Sequence, residues 1–288
     1  MSESTKKEMA EYGLQDLLYL MRRLRDPEDG CPWDLEQTYK TIVPSTIEEA
    51  YEVADAIERE DLDALREELG DYLFQAIFYC QLASEESLFD LEIVVDELVR
   101  KLVRRHPHVF PDGTLKSRRQ DEGQVQKAQL SQNWEAFKQE ERSKKGFNGV
   151  FDDIPKVLPA LIRAQKIQKR ASKQKFDWNS VPPIYDKIQE EIIELKQAVK
   201  SNSSIDIEEE VGDLLFSCVN LARHLKVDSE TALRRSVQKF TQRYLAMQEE
   251  FEKTDSVKSF DELSPEQMDQ FWRQAKALPQ SDTSHSDS

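Results

Sequence analysis

The sequence has few of the residues that build disulfide frameworks, turn-rich sheets or membrane spans. Its three cysteines, Cys31, Cys80 and Cys218, are odd in number and lack metal-ligand spacing, which argues against a disulfide framework or a zinc site. Only eight glycines occur in 288 residues, which does not suit a β-sandwich or a Rossmann fold. No uncharged apolar run approaches about 18 residues, and the first residues lack the apolar core of a secretion signal. We therefore expect a reduced, cytoplasmic protein without a membrane partner.

Positive charge is also scarce. Forty Lys and Arg stand against 56 Asp and Glu, which gives a formal net charge of −16. Like charges repel nucleic acid backbones and anionic membranes, so no nucleic-acid partner is expected. An anionic ligand would need a metal ion or a focused cluster of Lys and Arg. With 33% charged residues and little glycine, the composition favours an all-α fold.

The chain does contain an internal repeat of charged residues. Four acids recur at a constant offset of 142 positions (191 − 49), because Glu49, Glu52, Glu68 and Asp71 return as Glu191, Glu194, Glu210 and Asp213. A second set recurs at 138 positions (239 − 101), because Lys101, Arg105, Trp134 and Lys138 return as Lys239, Arg243, Trp272 and Lys276. Unrelated solvated charges have no reason to keep such spacing. We therefore interpret the chain as two copies of one helical module.

Two copies predict two modest domains, each with a core of its own. We expect an N-terminal module at 1–145 and a C-terminal module at 156–278. Gly and Pro interrupt helical periodicity between them, which predicts a linker at 146–155. The polar residues 279–288 are expected to form a disordered tail.

Local signals predict where helices begin and what they bury. Asp61 is a helix N-cap candidate. Thr46, with Glu49 three positions later, has the pattern of a capping box and predicts a helix that begins there. Residues 31–34 are expected to form a loop. The stretch 72–83 carries no charge, so its helix is expected to be buried on every side.

The spacing of the acids predicts a metal site. Glu49 and Glu52 are three positions apart, as are Glu68 and Asp71, so each pair lies on one helical face. At about 1.5 Å rise per residue, an antiparallel hairpin sets the two pairs level with each other. Four converging carboxylates would repel and have raised pKa values unless a cation neutralised them. Because all donors are hard oxygens, the pattern favours Mg²⁺, with Mn²⁺ as an alternative.

Two other interpretations of the acids compete with a magnesium site. A di-iron carboxylate site also draws Glu from four helices but requires Glu-x-x-His pairs. None of the four histidines, His106, His108, His224 and His285, stands three residues after a cluster glutamate. The other alternative is a pair of ordinary solvated helix faces. Two matched quartets next to uncharged helices favour the metal site over both.

The basic residues suit a phosphate chain. Each pair is one helical turn apart: Lys101 with Arg105, and Lys239 with Arg243. Such a pair can point at one phosphate chain, and phosphoryl transfer asks the protein mainly to position groups and neutralise charge. Trp134 and Trp272 could either stack on a base or pack a late helix, and both interpretations stay open. Trp33 and Trp178 are interpreted as anchors in the core or in loops.

Several strings spread over residues 14–276 share their order with a known family. They are Cys31-Pro-Trp-Asp-Leu-Glu-Gln-Thr38, Glu-Glu-x-x-Glu at 48–52, Glu-x-x-Asp at 68–71, Arg104-Arg-His-Pro-His-Val-Phe110, and the second acidic motifs at 190–194 and 210–213. Together they resemble the MazG nucleoside triphosphate pyrophosphohydrolases. The resemblance implies an all-α fold of two tandem modules whose bundles are completed by homodimerisation. It also implies Mg²⁺-dependent cleavage of nucleoside triphosphates to monophosphates and pyrophosphate, for nucleotide-pool control.

The same resemblance implies the site residues. The metal ligands would be Glu191, Glu194, Glu210 and Asp213, with Glu49, Glu52, Glu68 and Asp71 as first-half equivalents. The nucleotide contacts would be Lys187, Glu190, Glu191, Lys239, Arg243, Trp272 and Lys276, with Lys101, Arg105, Trp134 and Lys138 as first-half equivalents. Metal-activated water would attack the α-phosphorus, and we suggest Glu190 as the group that takes its proton. The second module is expected to be the more active one.

Two rival functions remain open. A non-catalytic regulatory or dimerisation module would bind metal and nucleotide without turnover. A phosphatase would release orthophosphate, but the sequence lacks a histidine-aspartate metal pair and a Gly-rich phosphate loop. Base preference stays undetermined, because specificity depends on side chains whose placement a helical pattern does not reveal.

Overall fold

A computed structural model describes residues 11–118, 137, 141–142, 144, 146–147, 149–254 and 259–277. In these ranges the regular elements are ten α-helices and one 3₁₀ turn, which confirms the predicted all-α fold. The contacts divide the chain into two compact units, Met1–Lys138 and Gln139–Ser288. The predicted bounds of modules, linker and tail stay predictions, and residues 279–288 lie outside the described residues. None of the described helices combines the length and apolar composition that crossing a membrane requires.

The first unit is built on a helical hairpin. Its helices are α1 (Leu14–Leu24), α2 (Pro32–Glu36), α3 (Tyr39–Glu58), α4 (Leu62–Glu85) and α5 (Leu91–Arg105). Helices α3 and α4 pack along each other, and α1 and α5 pack on α4. The core comprises Met21, Ile42, Ile77, Phe78 and Leu82. Asp61 caps α4 by accepting a hydrogen bond from the Ala64 N–H, which confirms the predicted cap.

The predicted start of the second long helix is wrong. Helix α3 begins after Thr38, whose Oγ1 accepts from the Thr41 N–H while the Thr41 hydroxyl accepts from the Thr38 N–H. Thr46 lies inside the helix, and its hydroxyl is 2.9 Å from the Tyr79 hydroxyl. Pro44 also lies inside α3, although an interior proline usually ends or kinks a helix. The reciprocal threonine cap therefore sets a start eight residues (46 − 38), or about two turns, earlier than the capping-box pattern predicts.

Two further sequence predictions are wrong. The predicted loop at 31–34 contains the start of α2, with Pro32 at the first helical position, where its missing N–H has no intrahelical partner to lose. The uncharged stretch of α4 is buried on one face only: Phe78 is fully buried, whereas Tyr72 and Leu73 are 45% and 44% exposed. The apolar side chains of the other face are exposed because no other element of the described chain covers them.

The second unit repeats the hairpin. Its helices are α6 (Ala160–Lys173), α7 (Pro182–Ser201), α8 (Ser204–His224), α9 (Ser229–Glu252) and α10 (Pro265–Ala277), with a 3₁₀ turn at Phe260–Glu262. Asn202 in the left-handed conformation and the Ser203 cap turn the chain between α7 and α8. Helix α6 packs on α8 and α9, and α9 packs along α10. The two hairpins therefore present the repeated acids in the same local setting.

Candidate metal centres

Three glutamates meet at the α7–α8 hairpin of the second unit. One carboxylate oxygen each of Glu191, Glu194 and Glu210 lies within 4.8 Å of the others. Helix α7 supplies the first two, three residues apart on one face, and α8 supplies the third. Asp213, the fourth predicted ligand, is outside this group, although its charge acts on Glu210. The second hairpin thus gathers three of its four predicted acids at one point.

The first unit gathers the equivalent three acids. Oxygens of Glu49, Glu52 and Glu68 lie within 4.8 Å of one another at the α3–α4 hairpin. Asp71 stands outside this group, as its repeat partner Asp213 does, but its charge acts on Glu49. Each unit therefore carries a cluster of the same three side chains with an aspartate close by.

Burial and repulsion by neighbouring carboxylates raise the pKa values of three of these acids, Glu49, Glu68 and Glu210. For Glu210 burial is the largest cause, followed by the charges of Glu194 and Glu191. Burial also leads for Glu49, followed by Asp71 and Glu52, and for Glu68, followed by Glu52 and Asp71. A divalent cation would relieve the repulsion, and carboxylate oxygens are the ligands that Mg²⁺ and Mn²⁺ prefer. The donor set fits such an ion.

A lysine distinguishes the second cluster from the first. The Lys187 ammonium lies 2.7 Å from Glu190 Oε1 and 2.8 Å from Glu191 Oε1. Hydrogen bonds to Glu190 and then Glu191 raise the pKa of Lys187, so the lysine stays charged. At the repeat offset of 142 (187 − 45), the first unit has Ser45 at this position. The second cluster is therefore held in part by its own cation, and the first has a neutral hydroxyl there.

A cavity of about 460 Å³ opens beside the second cluster. Lys187, Glu191 and Asp213 form one part of its wall, so it is continuous with the carboxylates. Trp178 lines another part and is 41% exposed. Trp33 of the first unit is 61% exposed, so neither tryptophan lies in the core, although Trp178 does stand in the loop before α7 and Trp33 lies in α2. Both instead lie at the surface of their units.

The predicted phosphate-binding cations lie on α9 and α10. Lys239 and Arg243 are one turn apart on α9, and α10 carries Trp272 and Lys276. The Trp272 ring packs 5.3 Å from the Phe240 ring, and Lys276 Nζ is 5.7 Å from the Trp272 centroid. None of these four residues is among the described residues that line the cavity. Their contact with a nucleotide stays a prediction.

Their first-unit equivalents are only partly described. Lys101 and Arg105 are half-buried, one turn apart on α5. Trp134 and Lys138 lie outside the described residues.

Sequence reasoning missed the polar lining of the cavity. Asp177 accepts hydrogen bonds from Arg223 at 2.5 Å and from His224 at 2.9 Å. Although burial opposes it, these bonds hold the pKa of Asp177 below its usual value. Asn220 is 4% exposed and also lines the cavity. A signal was present, because Asn220 stands in the uncharged stretch 214–222 of α8, where a buried polar side chain needs a partner.

Helical hairpins that each gather carboxylates for a metal ion, in an all-α fold, define a class of metal-dependent hydrolases. The chain belongs to the MazG family. The model of the MazG nucleotide pyrophosphohydrolase domain matches it twice, at residues 37–110 and 183–246, which confirms the tandem arrangement.

Two relatives match the chain over nearly its whole length, and a third matches over part of it. A nucleoside triphosphate pyrophosphohydrolase of Escherichia coli is 47% identical over 266 residues, which cover 90% of this chain and 95% of the relative. A protein of Thermotoga maritima named nucleoside triphosphate pyrophosphohydrolase/pyrophosphatase MazG is 42% identical over 93% of this chain and 98% of its own. A nucleoside triphosphate pyrophosphohydrolase of Mycobacterium tuberculosis is 36% identical over 59% of this chain and 48% of its own.

Proposed function

We propose that this protein is a nucleoside triphosphate pyrophosphohydrolase, which converts NTP or dNTP and water to the monophosphate and pyrophosphate. The observation that carries the proposal is the second-unit site, where a carboxylate cluster, a lysine and a cavity adjoin one another. Membership of the MazG family and the names of the relatives support the same reaction. Three free cysteines suit a reducing cytoplasm, where the enzyme would act on the nucleotide pool.

Mg²⁺ is the proposed cofactor, with Mn²⁺ as an alternative. Glu191, Glu194 and Glu210 would hold the ion. Asp213 would join them, because its charge acts on Glu210. When bound, the ion neutralises phosphate charge and lowers the pKa of coordinated water. Glu49, Glu52, Glu68 and Asp71 would hold an ion in the first unit in the same way.

The chain's own residues then position the reactants. Lys187 donates to Glu190 and Glu191, which fixes two carboxylates at the edge of the cavity. Glu190 is exposed and outside the three-glutamate group, so it is available to accept the proton of the water that attacks the α-phosphorus. We therefore assign turnover to the second unit and Glu190 the role of base.

A homodimer would complete each site. Leu69 of α4 and Leu215 of α8 are 50% and 53% exposed, and each lies on the second helix of its hairpin. Val237 and Phe240 of α9 are 58% and 57% exposed beside the predicted cations. Exposed apolar side chains on these helices support an interface. We propose that a second copy covers these faces and that its α9 brings Lys239 and Arg243 to the triphosphate.

Product analysis tests the proposal. The full chain is incubated with Mg²⁺ and each nucleoside triphosphate, and pyrophosphate and orthophosphate are measured separately. We expect one pyrophosphate and one monophosphate per turnover and no activity with EDTA. Release of orthophosphate would indicate a phosphatase instead, and nucleotide binding without either product would indicate a non-catalytic module.

A further inference from the structure

Two buried amides line the cavity beside the second cluster. Gln168 of α6 is 7% exposed and Asn220 of α8 is 4% exposed, and both belong to the cavity wall. Buried amides ordinarily satisfy both their oxygen and their nitrogen. The pairing of these two is incomplete.

The orientation of the Gln168 amide follows from its one partner. Its Nε2 donates to the Phe216 backbone carbonyl at 2.8 Å. Because a carbonyl only accepts, the nitrogen must face Phe216 and the oxygen must face the other way. That oxygen, Oε1, is buried without a hydrogen-bond partner. An unpaired buried acceptor is destabilising, so it is a place for a ligand donor.

The orientation of the Asn220 amide is fixed from the opposite side. Its Oδ1 accepts from Arg223 Nε at 3.0 Å and from Arg223 Nη2 at 2.6 Å. A guanidinium only donates, so the oxygen must face Arg223. Asp177 in turn accepts from Arg223, which holds the guanidinium in place. The Nδ2 donors of Asn220 are therefore the end left for a ligand.

We propose that this cavity is the nucleobase subsite, in which Asn220 Nδ2 donates to the base and Gln168 Oε1 accepts from it. A donor and an acceptor fixed in one cavity suit a base edge, which presents both kinds of group. The inference rests on the proposed function and adds the residues that select the base. A triphosphate bound at Lys187 and Glu191 would direct the nucleobase into the cavity, because these two residues form part of the cavity wall.

Size and lining agree with this occupant. The volume of about 460 Å³ falls within the roughly 300–1,000 Å³ of small-molecule sites. Phe176 and Trp178 line the opening and are 82% and 41% exposed. Flat aromatic faces stack on bases of any kind, so they supply affinity, whereas the fixed amides supply discrimination.

The first unit lacks this subsite. At the repeat offset of 142 (220 − 78), Phe78 stands in the position of Asn220, and Gln81 in that of Arg223. Phe78 is fully buried in the first-unit core, packed with Ile77 and Met21. Its ring therefore fills space where the second unit places a polar amide. The first unit therefore keeps the carboxylate cluster but lacks the amide that would hydrogen-bond a base.

Binding by the full-length chain tests the proposal. Calorimetry with Mn²⁺ and non-hydrolysable α,β-imido analogues of the four dNTPs gives the wild-type base preference. Asn220→Asp keeps an oxygen for Arg223 but removes the Nδ2 donor, and Gln168→Met removes the unpaired acceptor at similar volume. We expect each variant to bind the preferred analogue roughly tenfold more weakly, which flattens the preference. Mn²⁺ affinity in the absence of nucleotide should not change.

A matched control is available on α6. Gln165→Met removes a glutamine one turn before Gln168 that donates to the Val227 carbonyl and does not line the cavity. Its base preference should equal that of the wild type. Equal wild-type affinity for all four analogues would overturn the proposal, as would an unchanged base preference in both cavity variants with the fold intact by circular dichroism. Wild-type pyrophosphate release is measured in parallel, so failure of the proposed reaction is seen separately from failure of base selection.

Discussion

Lys187 Nζ and Glu191 Oε1 are 2.8 Å apart on one face of α7, and Glu191 is the most buried acid of its cluster. The repeat replaces this ion pair in the first unit by Ser45 and Glu49. A fixed cation beside a buried carboxylate orients that ligand and offers a donor to phosphate. This single difference makes the two otherwise matched clusters chemically unequal.

Replacement of the lysine tests this inequality. Lys187→Ser gives the second cluster the side chain of the first, and we expect kcat/KM to fall roughly 10–100-fold because a charge-assisted hydrogen bond contributes about 1.5–3 kcal/mol. Pyrophosphate release measures the change. Lys196→Ser, an exposed lysine farther along α7, serves as control and should retain wild-type kinetics. Equal kinetics for both variants would contradict a role for Lys187.

Paired substitutions test which unit performs turnover. Glu191→Gln removes a metal ligand of the second cluster, and Glu49→Gln removes its repeat partner in the first. We expect the first variant to lose roughly 100-fold or more of kcat, since the charge that positions the metal is lost, while the second keeps most of it. Steady-state pyrophosphate release distinguishes them. A large loss only in Glu49→Gln would move catalysis to the first unit.

The raised pKa values predict how metal and pH affect stability. Glu49, Glu68 and Glu210 have folded-state pKa values above the ordinary 4.5, because of burial and then neighbouring carboxylates. Their favourable contribution is present below pH 4.5 and is lost as pH rises through the folded pKa. Metal-free protein should therefore be stabilised by mild acidification in this range. Mg²⁺ should raise the thermal midpoint more at pH 7 than at pH 5, where protons compete.

Thermal melts with Mg²⁺ and with EDTA provide the measurement. At 100 times Kd a ligand adds about 2.7 kcal/mol of stability. Glu191→Gln combined with Glu49→Gln is the control, because both clusters lose a ligand and the Mg²⁺ shift should shrink at pH 7. A shift that does not depend on pH would show that the ion binds outside the carboxylate clusters.

A partly buried ion pair in the first unit is expected to stabilise that unit. Arg25, whose side chain is 7% exposed, bonds Glu85 of α4 at 2.7 Å and the backbone carbonyl of Asp34. Breaking a buried pair costs about 3–5 kcal/mol, and because the Glu85 side chain is 35% exposed we expect Arg25→Met to cost about 3 kcal/mol. Urea unfolding measures it. Arg23→Met breaks an exposed pair with Asp29 and should cost about 0–1 kcal/mol.

A charge on the exposed hairpin face tests the homodimer. Leu215→Glu places a carboxylate on the apolar face of α8, and we expect the chain to become monomeric and lose turnover. Light scattering coupled to size-exclusion chromatography reports the mass. Ile205→Glu, at a 75% exposed position in the first turn of α8, should remain dimeric. Wild-type mass and turnover in Leu215→Glu would exclude this face as the interface.

The local architecture could be predicted from the sequence because its causes are local. Helix periodicity and the caps at Asp61 and Ser203 set the hairpins. Three-residue spacing then places each pair of acids on one face. The start of α3 was missed because the reciprocal Thr38 and Thr41 cap outweighs the usual effect of Pro44. The caps at Asp61 and Ser203 and the cap at Thr38 all depend on contacts between residues a few positions apart.

By itself, then, the sequence determined the all-α fold, the repeat and the acids that converge, since helical geometry converts spacing into proximity. Only the tertiary structure decided that a cavity lies beside the second cluster and that Gln168 and Asn220 face it with opposite groups. It also placed Lys239 outside the described lining of that cavity. Those arrangements depend on packing between helices distant in sequence, and no local spacing encodes how an amide is turned or which face a neighbouring helix covers.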